Sequence, residues 1–253
     1  MGLRKFGNYD LDGKPPVLAW NPVTMRCTRV DEGCRNCWHL RMCERLAANA
    51  SLGGMARRSY GGGYPKMATS LVKGGPCLPK RPSVIAVQFM GDLWHMDVLP
   101  EYRKIIFGIC RDNPRHIFLF LTKRPERVTE TLPENCWLGV SAHNAESAKH
   151  RTQWLELKGV APERRWLSLE PLLAWDSQSE VGIVCRQNGI GWVACGEETG
   201  AGRRLPEGVT INWVADSCST FGIPFYDKRE PVCADFTRRE WNGEWKEKIG
   251  GRN

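Results

Sequence analysis

Along the chain, short and nearly continuous apolar runs alternate with helix-like stretches, which is the pattern of parallel β-α units. "PVLAW" at 16–20 reads as a first strand and "WHLRMCERLAAN" at 38–49 as the first helix. "SVIAVQFMGD" at 83–92 predicts a second strand, and "PEYRKIIFGICRDN" at 100–113 a helix with Pro100 in its first turn, where a missing N–H costs nothing. "HIFLFLTK" at 116–123 is a third strand, with a short helix from Pro125 behind it. "CWLGVS" at 136–141 is a fourth, and Asn144 caps the helix "NAESAKHRTQWLELK" that follows. "RWLSLEP" at 165–171 and "GWVACGEE" at 191–198 are a fifth and a sixth strand. The stretch "VTINWVADSCSTFG" at 209–222 is helical with a glycine stop, and "IPFYDK" at 223–228 is a last strand. Six or seven such units predict an α/β fold, a complete or partial parallel (β/α) barrel, with an open doubly wound sheet as the competing architecture. Helix crossovers bury both faces of either sheet, which accounts for the near-continuous apolar strands.

Each predicted strand ends in polar residues or glycine. In order these are Asn21; Gly91 and Asp92; Thr122, Lys123 and Arg124; Ser141 and Asn144; Ser168 and Glu170; Gly196, Glu197 and Glu198. In a parallel barrel the active site gathers at the C-terminal strand ends, so these residues are the first candidates for chemistry. Glu170 is a carboxylate on an apolar strand and needs a partner or a function. His95 is weighed as a catalytic group, whereas His116, beside a strand, reads as structural.

Composition adds bounds. At 253 residues, 42% hydrophobic and 25% charged, the chain is expected to form a single domain over 1–253 with a sizeable core. No apolar run approaches the ~20 residues of a membrane span, and the start "MGLRKFGNYD" lacks the apolar stretch of a secretory signal, so a cytoplasmic protein without a membrane partner is expected. Eleven cysteines in a chain of this size, an odd number, read as reduced thiols rather than a disulfide framework. Cys110, Cys185, Cys195 and Cys218 sit in apolar segments and are expected to fill the core.

The net charge of +8 favours a polyanionic partner, and its distribution sharpens the point. No acidic residue occurs between Glu44 and Asp92, while Arg45, Arg57, Arg58, Lys66, Lys73, Lys80 and Arg81 are basic. The Gly/Pro-rich stretch at about 53–82 therefore reads as a flexible basic insertion, with Tyr60 and Tyr64 available for stacking on bases. Residues from about 229 to 253 form a C-terminal extension in which Trp241 and Trp245 are four apart and suited to docking a helix.

The segment "CTRVDEGCRNCW" at 27–38 places Cys27, Cys34 and Cys37 at C-x6-C-x2-C spacing, with Trp38 directly after. Thiols this close in a reduced chain point to a structural zinc or an iron-sulfur cluster. Structural zinc takes four closed ligands, and no second C-x2-C or Cys/His pair follows downstream. His39 and Cys43 are the nearest extra donors; at ~100° per residue they lie about 200° and 240° around the first helix from Cys37, turned away from the loop. Three ligands leave one metal position open.

On "WNPVTMRCTRVDEGCRNCW", "GDLWHMDV", "HIFLFLTKRPERV", "WLGVSAHN", "RWLSLEPLL", "WVACGEETG" and "IPFYDK", in order over residues 20–228, the chain resembles the phage-encoded three-Cys-motif family of radical S-adenosylmethionine (SAM)-like proteins. Its first cysteine gap is longer than the C-x3-C-x2-C usual in radical SAM enzymes, and the aromatic residue follows the third cysteine instead of preceding it. The resemblance implies a barrel of radical SAM type in which Cys27, Cys34 and Cys37 hold a 4Fe-4S cluster whose fourth iron binds S-adenosylmethionine. It further implies that Gly91 and Asp92 meet the cofactor's amino group, Lys123 or Arg124 its carboxylate, Ser141 and Asn144 its ribose, and Glu170 the cofactor or the substrate. The implied substrate is a nucleobase in DNA or a derived nucleotide, and the sharpest form is isomerisation of an amino-acid-modified thymidine such as α-glycinyl thymidine in the host cytoplasm. An electron donor such as flavodoxin or ferredoxin is implied as a partner. The alternatives are a radical repair lyase acting on damaged thymines and a non-catalytic zinc protein that binds nucleic acid.

Overall fold

A computed structural model describes residues 3–5, 17–68, 76–175 and 180–229. The chain divides into two compact units, one of residues 1–120 with 132–136, the other of residues 121–131 with 137–253.

In the first unit, β1 (Arg4–Lys5) pairs antiparallel with β2 (Leu18–Trp20). A short hairpin joins β3 (Val23–Thr24) to β4 (Lys66–Met67). β2 then runs parallel to β5 (Val84–Val87), and β5 parallel to β6 (Ile117–Thr122). Its helices are α1 (Trp38–Ala48), α2 (Gly54–Tyr60) and α3 (Pro100–Arg111). All four residues of β5 are buried, as a strand covered on both faces requires. The core is aromatic: Phe107 of α3 meets Phe120 at 5.1 Å between ring centroids, and Trp20 meets Phe118 at 6.2 Å.

The second unit is built on β7 (Cys136–Ala142), β8 (Arg165–Leu169), β9 (Trp192–Cys195) and β10 (Phe225–Asp227), parallel throughout and in that order. α4 (Ala145–Leu157), α5 (Glu180–Gln187) and α6 (Ile211–Thr220) supply the crossovers. Trp166, Trp192 and Tyr226 stack in sequence across β8, β9 and β10 at centroid distances of 5.3 and 6.1 Å. Gly139 of β7 makes room for this row, since a Cβ there would lie 2.2 Å from the Trp166 ring.

The parallel α/β reading holds, with three parallel strands in the first unit and four in the second. Two local expectations need correction. The strand expected over 83–92 stops at Val87, because Gln88 takes φ 56° and its side chain replaces the ladder. Its side-chain Nε2 donates to Val23 O at 2.9 Å and to Met90 O at 2.8 Å, while Oε1 accepts from Val23 N at 2.8 Å. The basic insertion is ordered over 54–68: α2 is closed by Ser59 Oγ donating to Tyr64 O at 2.8 Å, and β4 is held by pairing with β3. Its residues 69–75, Lys73 among them, and the tryptophans Trp241 and Trp245 lie outside the described residues. Cys110, Cys185, Cys195 and Cys218 are buried, as expected of core filling, and burial raises the thiols of Cys110, Cys185 and Cys195. No described helix is long and apolar enough to cross a membrane.

Candidate functional site

The cysteine segment leaves the β3 hairpin and enters α1. Cys34 closes a single helical turn, Glu32–Cys34, and is buried, and Cys37 is the N-cap residue of α1. Cys27 and Cys37 are partly exposed, and all three thiols are reduced. Trp38 is 45% exposed and turns its edge to His39. It therefore covers the start of the helix from outside and does not pack α1 into the core.

His39 and Cys43 are the buried residues of α1, one turn apart on a single face. Cys43 Sγ lies 3.4 Å from His39 Nε2 and 3.5 Å from Met25 O, two residues before Cys27. Burial raises the Cys43 thiol to about 11, against the opposing pull of the adjacent Arg26. Burial and the adjacent Arg26 hold the His39 imidazole down to about 4, leaving a neutral thiol beside a neutral ring. Cys37 stands at the N-cap in a non-helical conformation, φ −58° and ψ 121°. Among the described residues, no three His, Cys, Asp or Glu side chains are gathered as a cage for a metal ion, so metal capture would require these thiols to turn toward a shared centre.

His95 supports the same loop. The Asp97 backbone N–H donates to its Nδ1 at 3.2 Å, which leaves the proton of a neutral ring on Nε2, 2.9 Å from Thr28 Oγ1. The ring is 1% exposed, so the structure places His95 as a buried tie to the residue after Cys27. Asp92 is also buried, and its Oδ1 accepts from Trp94 N at 3.0 Å, starting the turn that carries His95. Gly91 has φ +112° and sits against Met25, whose Sδ would be 2.8 Å from a Cβ added there. His116 is fully buried and accepts from Arg115 Nε at 3.2 Å, in keeping with a structural role.

In the second unit the strand ends carry the remaining candidates. Lys123 is partly exposed, whereas Arg124 is buried and its N–H donates to Thr122 Oγ1 at 2.9 Å. Asn144 is the expected cap: its Oδ1 accepts from Ser147 N at 2.9 Å, and Ser147 Oγ in turn accepts from Asn144 N at 3.2 Å. Ser141 Oγ donates to Glu170 O at 3.3 Å, which brings these two predicted residues together. Arg151, buried on α4, donates to Ser141 O at 2.5 Å.

Glu170 has the partner expected of a carboxylate at the end of an apolar strand. Lys228 Nζ donates to Oε2 and Ser168 Oγ to Oε1, the latter at 3.1 Å. Next to this pair, Asp227 is 1% exposed and takes Arg229 Nε and Nη2 in a fork-like pair. Farther along, Glu198 accepts from Arg204 N and Nε, both at 2.9 Å, and closes the 198–204 loop. Sequence reasoning missed Lys228, although it ends the last predicted strand in the way that singled out the other strand-end residues.

A family profile matches residues 17–247, which is most of the chain, under the description "protein of unknown function (DUF5131)". The chain belongs to the DUF5131 family. The matched span of this DUF5131 protein includes the cysteine segment, His95 and the Glu170–Lys228 pair. Neither a curated protein nor a solved structure matches the chain.

Proposed function

We propose that this DUF5131 protein is a radical SAM-type enzyme, built as a parallel β/α barrel of that kind, which modifies a nucleobase in DNA. The supporting observation is that Cys27, Cys34 and Cys37 lie on one short loop between β3 and α1 and that none of them is in a disulfide. Thiolates on a short loop have the donor chemistry of a 4Fe-4S cluster, so Cys27, Cys34 and Cys37 would hold it. The chemistry such a group would supply, with one electron from an external donor, is reductive cleavage of S-adenosylmethionine to methionine and a hydrogen-abstracting 5'-deoxyadenosyl radical.

This chain's own residues hold, orient and shield. His95 fixes the backbone next to Cys27 through Thr28. Trp38, 45% exposed at the start of α1, is the candidate to shield the group held by Cys37. Gly91 and Asp92 are the first unit's candidates for the cofactor's ammonium. Lys123, Arg124, Ser141, Asn144 and Glu170 are the second unit's for its carboxylate, its ribose or the substrate. DNA contact falls to α2 and its following turn, where Arg57, Arg58 and Lys66 are exposed and Tyr64 is 88% exposed. Phosphates meet the guanidinium and ammonium groups, and an unstacked base meets the ring. A base in a duplex would be flipped out to react. The substrate reading is isomerisation of an amino-acid-modified thymidine such as α-glycinyl thymidine in the host cytoplasm, with flavodoxin or ferredoxin as electron donor. A repair lyase on damaged thymines is the same chemistry on another base.

The rival reading is a non-catalytic zinc protein that binds nucleic acid, in which Cys27, Cys34 and Cys37 and a fourth ligand from elsewhere in the chain close the site. Anaerobic reconstitution separates the two. The radical reading predicts about four irons and four sulfides per chain and release of 5'-deoxyadenosine from S-adenosylmethionine under a strong reductant. One zinc per chain with no such release would overturn it in favour of the closed site.

A further inference from the structure

β8, β9 and β10 run in register with Leu169, Cys195 and Asp227 in one row. The next residues on the three strands are Glu170, Gly196 and Lys228, tied by Gly196 N to Leu169 O at 3.1 Å and Lys228 N to Cys195 O at 2.9 Å. Two strand spacings, roughly 10 Å, separate the outer backbones, so the Glu170 and Lys228 side chains meet only by leaning over Gly196. The glycine permits this: a Cβ at 196 would lie 3.3 Å from Lys228 Cβ and 3.6 Å from Glu170 Cγ. Ala194, two residues earlier and so on the same face, keeps the floor low.

This pair differs from its neighbour. Asp227 is sealed at 1% exposure under Arg229, whereas the Glu170 and Lys228 side chains are 23% and 25% exposed. Solvent, and therefore a ligand, reaches the Glu170–Lys228 pair. A half-buried ion pair is costly to open with a ligand of one charge, because the other charge is left without a counterion. A ligand with an ammonium and a carboxylate on one carbon replaces both partners at once, with the ammonium taken by Glu170 and the carboxylate by Lys228. Ser168 Oγ keeps the Glu170 carboxylate oriented through the exchange.

We propose that Glu170 and Lys228, across Gly196, form a binding site for an α-amino acid group. This deepens the functional reading above by giving the substrate's amino-acid group a recognition site, yet its test runs on metal-free protein. Failure here and failure of the cluster reading are therefore separate results.

The experiment is calorimetric titration of the metal-free full chain with glycine, and with acetate and methylamine as single-charge controls. Glycine is expected to bind weakly and the controls not at all. Lys228→Met and Glu170→Gln are each expected to weaken glycine binding at least tenfold. Gly196→Ala, which keeps both charges and adds a methyl between them, is expected to do the same with the thermal midpoint little changed, which guards against reading misfolding as lost binding. Parallel titrations with glycinyl thymidine nucleoside and S-adenosylhomocysteine identify the source of the group as whichever loses affinity in Lys228→Met. Equal binding of acetate or methylamine, or glycine binding indifferent to all three substitutions, would overturn the proposal.

Discussion

At the scale of single residues, His95 links two ideas that the sequence kept apart. Read as a lone histidine at a strand end, it was weighed for catalysis; in the structure both ring nitrogens are engaged, one by Asp97 N and one by Thr28 Oγ1. His95→Leu is expected to destabilise the chain by about 1–3 kcal/mol, since a buried polar tie is lost. The same change is expected to raise the alkylation rate of Cys27, because Thr28 is its neighbour. Denaturant unfolding and mass-spectrometric thiol labelling check the two effects, and His95→Gln, which can still reach Thr28, should restore part of each. Other residue-level features were legible in varying degree. Asn144 was readable because a cap is local, set by a side chain and an N–H three residues on. Lys228 was not assigned to Glu170, since their pairing spans 58 residues and depends on strand order.

At the scale of elements, the strands with continuous apolar runs were read to within a few residues, since burial on both faces leaves little ambiguity of pattern. β5 was overextended because "VQFMGD" is apolar enough to look like strand, and nothing local reveals that the Gln88 side chain takes over the hydrogen bonds of the ladder. α2 was hidden by its composition. "GMARRSY" sits among glycines, and its placement comes from the Ser59–Tyr64 closure and from the pairing of the following β4 with the sequence-distant β3. The aromatic row across β8, β9 and β10 makes a prediction about packing. Gly139→Ala places a methyl against the Trp166 ring, where the nearest ring atom would be 2.2 Å away. Overpacking of this kind typically costs about 1–3 kcal/mol or more, and the Trp166 ring must move with respect to Trp192. Thermal unfolding is expected to show the loss, and near-ultraviolet circular dichroism to show a weakened tryptophan couplet. An unchanged midpoint and spectrum would mean that β7 and β8 pack differently from the arrangement described.

At the scale of the whole molecule, the parallel α/β class was legible in the alternation of apolar runs and helical stretches. The limit of the first compact unit falls between Phe120 and Leu121, inside the uninterrupted apolar strand β6, where composition carries no linker signal. Charge was legible only as a tendency: a net +8 and an acid-free stretch from 45 to 91 point to a polyanion, while the exposed Arg57, Arg58, Tyr64 and Lys66 give that tendency a surface. The account as a whole rests on Cys27, Cys34 and Cys37 holding a cluster with one coordination position left to a small molecule. The most direct measurement is electron paramagnetic resonance of the anaerobically reconstituted and reduced protein, before and after S-adenosylmethionine is added. The account predicts a reduced-cluster signal that changes its g values on addition, and that is absent when all three cysteines are replaced by alanine. A signal unmoved by S-adenosylmethionine, or one that vanishes in Cys43→Ala while surviving in Cys34→Ala, would contradict it.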